Sequence, residues 1–223
     1  EDAKNWRPHV LVLSGAPTKR WSLIELADSL THKRGLVTVS TVLKQTQRGL
    51  GQQGEMEERI RKYLNKKGVQ ALVRVISADD IFIGGQHLVE TYGLGPVVPN
   101  TILLGDSESL DYRENYCQMI SRIHQSNRNV MIFRENHEKG FGRRRRIDIW
   151  WGGSMQANAG LMLLLAYLIR NDVRWREANI YLKLMVKHQN AVLPARDNLN
   201  RLLSQLRITA IPQVIVADGR SFD

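Results

Sequence analysis

One cysteine, Cys117, stands among 223 residues. That count excludes an internal disulfide and fits a reducing compartment. Its setting, YCQMI, reads as the buried face of a helix, a structural position and not a reactive thiol. Long apolar runs are also missing. The longest, LMLLLAYLI at 161–169, falls well short of the ~20 residues a membrane-spanning helix needs, so it reads as a core helix. The amino end, EDAKNWRPH, is charged and lacks a signal-peptide pattern, and the chain reads as soluble. Acidic excess is absent too: 32 Lys and Arg outweigh 22 Asp and Glu, for a net charge of +10 and a pI near 10.0. Such a balance favours an anionic partner, either nucleic acid or the anionic leaflet of a membrane.

Metal and catalytic patterns are equally scarce. The histidines at 9, 32, 87, 124, 137 and 188 never fall at metal-ligand spacing, and HEKGF (137–141) is not H-E-x-x-H. They read as surface or capping residues. Nothing forms a nucleophile, base and orienter set. No enzyme activity, metal or cofactor is expected.

What is present is alternation. Apolar runs at 9–15, 36–43, 71–77, 101–105 and 129–133 read as strands. Helical patterns separate them. Ser22 and Glu25 form a capping box that opens a helix closing near Gly35. EMEERIRKYLNKKG (55–68) has Met56, Ile60, Tyr63 and Leu64 as its stripe, acids in its first turn and lysines in its last. Helices over 79–92 and 109–126 complete the set. Short loops between alternating strands and helices predict parallel sheets with helices on both faces. The pattern then restarts, with IDIWW (147–151), a helix over 156–170, NIYLKLMV (179–186), a helix from Pro194 to Arg207, and QVIVA (213–217). The expectation is an α/β protein of two similar subdomains, 1–138 with five strands and 139–223 with at least three, each an open and mainly parallel sheet.

Phosphate-binding motifs fail on inspection. GLGQQG (49–54) matches the dinucleotide fingerprint in letters but follows the second strand, and Glu55, Glu57 and Glu58 would repel a diphosphate. A polar loop is the better reading. The SGAPTKR loop offers Lys19 but not P-loop spacing. GDSES (105–109) lies where universal stress proteins, of similar strand order, bind ATP; Glu108 replaces a glycine of their pattern there. ATP and NAD binding are not expected.

The run GRRRRIDIWWGG (142–153) sets Arg143, Arg144, Arg145 and Arg146 against Trp150 and Trp151. Nucleic-acid binding would want exposed aromatics for stacking, whereas in a strand covered on both faces both indoles would be largely buried. The arginines then face anionic lipid or lie between subdomains. Asp148 reads as a hydrogen-bond acceptor or an arginine's partner, because an unpaired buried charge is costly.

The stretch IDIWWGGSMQANAGLMLLLAYLIRNDVRWREANIYL resembles a region of the cation–chloride cotransporters that reads roughly D-V-W-W, a short turn, L-L-L-P-Y-L-L, then a Trp and a strand. The matching positions include Asp148, Trp150, Trp151, Gly160, Tyr167 and Trp175. NWRPHVLVL (5–13), with Trp6, and GLGPVVPNTILLG (93–105), with Pro99 and Asn100, resemble two further family segments in the family's order. Ala166 departs from the pattern where many members have Pro.

This resemblance implies the cytoplasmic C-terminal domain of a carrier that moves chloride with sodium and/or potassium. The implied domain is regulatory, homodimeric and non-catalytic, and lies below a transmembrane domain absent from this chain. Residues 134–146 contain no long Ser/Thr-rich insert, which suggests a simpler, prokaryotic member. Nucleic acid is not an expected partner. The alternative reading is a nucleotide-binding sensor of stress-protein type.

Overall fold

β1 (His9–Leu13), β2 (Leu36–Lys44), β3 (Leu72–Ala78), β4 (Thr101–Gly105) and β5 (Asn129–Phe133) form one parallel sheet of order β3-β2-β1-β4-β5. The computed structural model describes residues 6–32, 34–45, 51–107, 109–152 and 158–217. Strand order determines where the helices go. Right-handed crossovers running one way along a sheet share a face, and a reversal of direction moves them to the other. α1 (Trp21–Thr31) and α2 (Gly51–Lys66) therefore cover one face, where Leu23, Ile24, Ala27, Ile60 and Leu64 pack on Val10, Val12, Val39 and Leu103. α3 (Ile81–Thr91) and α4 (Arg113–Gln125) cover the other, where Leu88, Val89, Met119 and Ile123 pack on Leu11, Ile102 and Leu104. Alternate residues of β1 and β4 thus enter opposite cores, as strand periodicity requires.

α3 comes close to the sheet. A Cβ on Gly84 would sit 2.6 Å from Val42 Cγ1 and 2.7 Å from Ala78 Cβ, so a larger residue would push the helix away. Asp80 caps α3, accepting from the amides of Phe82 at 2.8 Å and Ile83 at 2.9 Å.

The chain divides into two compact units, Arg7–Gly140 and a second that takes in 141–217 with Trp6. The second holds β6 (Arg146–Trp151), α5 (Ala159–Arg170), β7 (Asn179–Val186), α6 (Val192–Leu206) and β8 (Ile211–Val216). Its sheet, β6-β7-β8, is parallel and never reverses direction. Both crossover helices accordingly pack on one face, and Leu163, Ala166, Leu199 and Leu203 meet Ile149, Ile180 and Leu182 there.

The one-sided second sheet corrects an expectation. Ile147, Ile149 and Trp151 point to the helices and join the core, while Trp150 points away and is 51% exposed. Both indoles were expected to be buried, because the sheet was expected to carry helices on both faces.

Several local expectations also change. The Ser22–Glu25 capping box does not form. α1 begins at Trp21 without a side-chain cap, and the Ser22 hydroxyl donates to Glu135 instead. α2 starts at Gly51, so part of the expected polar loop is helix, and its acids lie beyond the first turn. Cys117 is exposed, since Tyr116, Met119, Ile120 and Ile123 form the inward stripe of α4 and leave it on the other side. His9 is 8% exposed, a core residue of β1 and not a surface one.

Candidate functional site

The loops after β1 and β4 diverge where the first sheet reverses direction, and open sheets bind ligands at the carboxyl ends of strands at such a point. A cavity of about 480 Å³ lies there. Leu13, Val42, Phe82, Leu104 and Met119 supply its apolar wall, and Arg20, Ser40, Asp106, Ser107 and Tyr116 its polar groups. The Tyr116 hydroxyl donates to the Gly105 carbonyl at 2.7 Å. Burial, reinforced by the charge of Asp106, pushes its pKa up to about 12, so it stays a donor at neutral pH. Asp106 is itself paired with Arg134 at 3.1 Å. A narrower cleft beside Gly105 includes Lys19 and Arg20.

Glu55, Glu57 and Glu58, three of the carboxylates expected to repel phosphate, do not line this cavity. Glu57 accepts from the Val75 amide at 2.8 Å and faces Arg74, beside β3. Glu58 pairs with Arg61 and Lys62 along α2, and Glu55 lies 3.8 Å from Arg59. Glu108, Gly49 and Leu50 lie outside the described residues. Among the described residues, Asp106 is the carboxylate that lines the site.

The face of the second sheet opposite its helices holds a different constellation. Asp148 accepts from Arg146 Nε and from Lys183 Nζ, each at 2.8 Å. Burial alone would raise the Asp148 pKa, but the hydrogen bonds from Lys183 and Arg146 outweigh it and hold the carboxyl below its usual range. The strand register places Trp150 opposite Lys183, whose ammonium lies 4.9 Å from the indole centroid. The Arg146 guanidinium lies 4.2 Å from the Tyr181 ring centroid. Lys183 was missed in the sequence because cross-strand register is not written in one strand's pattern.

The four arginines go different ways. Arg143 is exposed, Arg144 stacks over Phe141 at 5.7 Å, Arg145 reaches Glu177 at 3.5 Å, and Arg146 holds Asp148.

Among the other residues singled out, Asn100 is placed most tellingly. It accepts from the His9 amide at 3.1 Å and from Thr101 at 3.0 Å, and its amide donates to the Arg7 carbonyl at 2.9 Å. One side chain thus ties the start of β1 to the start of β4. Pro99 before it is buried, and Trp6 is partly buried. Tyr167 packs against the second core, while a Cβ on Gly160 would meet nothing within 4 Å. Among the described residues no group of three or more His, Cys, Asp or Glu is placed to hold a metal. No helix among them is long and apolar enough to cross a membrane.

The model of Solute carrier family 12 matches residues 20–142 and 106–221. Solute carrier family 12 member 3 of Mus musculus is 26% identical over 247 residues, which takes in 92% of this chain and 23% of that protein. The chain therefore spans about a quarter of the curated relative. Among solved structures, the cytoplasmic domain of a prokaryotic cation chloride cotransporter superposes with a TM-score of 0.69 at 19% identity, over 96% of this chain and 80% of the other. A universal stress protein from Archaeoglobus fulgidus DSM 4304 gives 0.53 at 12% identity, over 94% and 78%. These two likenesses agree with the parallel α/β architecture and its crossovers. With the family model spanning both units, this chain is a member of solute carrier family 12.

Proposed function

We propose that this chain is the cytoplasmic regulatory and dimerisation domain of a secondary transporter that moves chloride with sodium and/or potassium. The observation that carries the reading is the family match from residue 20 to residue 221, across both units. The fold likeness to a cotransporter's cytoplasmic domain supports it. Transport sites would lie in a membrane domain outside this chain, and the work done here is binding and not catalysis. The unit of assembly is a two-fold homodimer, the commonest closed oligomer. Tethering by membrane domains raises the effective concentration, so a modest interface suffices. The arginines at 143–146 face the anionic inner leaflet or brace the protein internally.

The test compares the full-length carrier with one lacking this chain, both reconstituted in vesicles. The expected result is an unchanged half-saturating chloride concentration, an altered maximal rate and a weakened dimer in sedimentation. Identical rates and identical dimer stability would refute the regulatory and dimerisation roles.

A second reading, a nucleotide-binding sensor, draws on the cavity at the sheet's reversal point and the stress-protein likeness. Against it stand the mainly apolar wall and the Asp106 carboxylate at the place a phosphate would approach. Saturation at about 100 times a dissociation constant adds roughly 2.7 kcal/mol of stability. The melting temperature should therefore not move with millimolar ATP, and a clear rise would favour the sensor.

A further inference from the structure

Parallel connections bring every segment back to the same end of a sheet, and in the second unit that end collects arginines. The 143–146 run leads into β6, Arg170 closes α5, Arg176 precedes β7, and Arg207 follows α6 before β8. These segments are neighbours. The Asn179 amide donates to the Arg145 carbonyl at 3.0 Å, and the Phe141 and Trp175 rings meet edge-on at 5.6 Å. Residues 141–217 hold twelve Lys and Arg against four Asp and Glu, so most of the chain's +10 lies in this unit.

The nearby carboxylates are already engaged. Asp172, 4% exposed, is gripped by Arg174 through Nε at 2.9 Å and Nη2 at 2.6 Å. Glu177 faces Arg145, and Asp148 holds Arg146 and Lys183. Among the described residues no carboxylate pairs with Arg143, Arg170, Arg176 or Arg207. Arg143, Arg176 and Arg207 are exposed. Val173, 72% exposed, stands in the turn between Arg170 and Arg176 and adds an apolar tip.

We infer that this end of the second unit docks on an anionic lipid bilayer, with cations from three separate segments and not from the 143–146 run alone. The inference rests on the proposal that the chain hangs beneath a membrane domain. The chemistry favours lipid over nucleic acid. Base stacking needs exposed rings, and the Trp175 ring at this end is 8% exposed and packed on the partly buried Phe141. Exposed guanidiniums beside an apolar tip suit headgroups, where each basic residue near the surface strengthens binding about fivefold.

The experiment is co-sedimentation of the 223-residue chain with phosphatidylcholine vesicles, with and without phosphatidylserine, at low and high salt. The chain should bind only the phosphatidylserine vesicles and release in high salt. The variant Arg176→Gln/Arg207→Gln keeps the 143–146 run and should bind about twenty-five-fold more weakly, with an unchanged melting temperature. Equal binding by this variant, with binding lost when residues 143–146 become Gln, would overturn the inference and leave the simpler lipid role standing. No binding by the unaltered chain at low salt would defeat both. Tighter binding to a single-stranded RNA at the same salt would assign the surface to nucleic acid instead.

Discussion

Asn100 and His9 show how single side chains hold the first sheet at its seam. Asn100 joins Arg7, His9 and Thr101 through three hydrogen bonds, so Asn100→Ala removes partners from two backbone groups at the start of β1 and from the Thr101 hydroxyl at the start of β4. The expected cost is about 1–3 kcal/mol in urea unfolding. His9 sets a pH dependence. Burial lowers its pKa from 6.5, with the Val98 backbone opposing, so on acidification the unfolded chain takes up the proton before the folded one. The stability linked to neutral His9 is whole above pH 6.5 and is lost as pH falls below that value. The melting temperature should drop from neutral pH toward about pH 5, and His9→Gln should flatten that slope. A wild-type profile without slope in this window would show that His9 titrates alike in both states. Neither role was readable beforehand. The N-T pair was visible only as a family-like motif, and a histidine opening a strand looks the same whether its neighbours bury it or leave it in water.

Elements were more legible than their ends. Every strand lies where an apolar run predicted it, because period and flanking turns are local signals. Boundaries moved where tertiary packing decided them. α2 gained a turn across Gly51–Gly54, and Ser22 left its local cap for Glu135. The burial of the two indoles depended on something no strand contains, the order of its neighbours. The β6-β7-β8 order puts Trp151 in the core and Trp150 outside it. Trp151→Ala should therefore cost about 3 kcal/mol, the low end for a tryptophan that is not wholly buried, and Trp150→Ala about 1 kcal/mol or less. Equal losses in paired urea titrations would contradict the one-sided sheet. The face opposite the helices makes its own prediction. The Lys183 side chain is 11% exposed and leans on Asp148 and Trp150. Asp148→Ala should destabilise by about 2 kcal/mol by stranding that ammonium, whereas Arg146→Gln at the solvent edge should cost under about 1 kcal/mol.

At the scale of the whole molecule, the two units share an architecture but not a strand order. The first reverses direction and so acquires a cavity at its seam, while the second runs one way and carries both of its crossover helices on one face. The arginine run was plain in the sequence. Its gathering with Arg170, Arg176 and Arg207 at one end was not, because only the parallel connections bring those segments together. The family was legible from three short blocks of residues, since a motif's wording survives where its geometry cannot be guessed. The proposed function makes chloride-coupled cation movement its central claim. Its most direct measurement is rubidium or sodium uptake by vesicles containing the full-length carrier, with external chloride replaced by gluconate. The account predicts that uptake collapses without chloride and returns in proportion as chloride is restored. Uptake indifferent to chloride would contradict it.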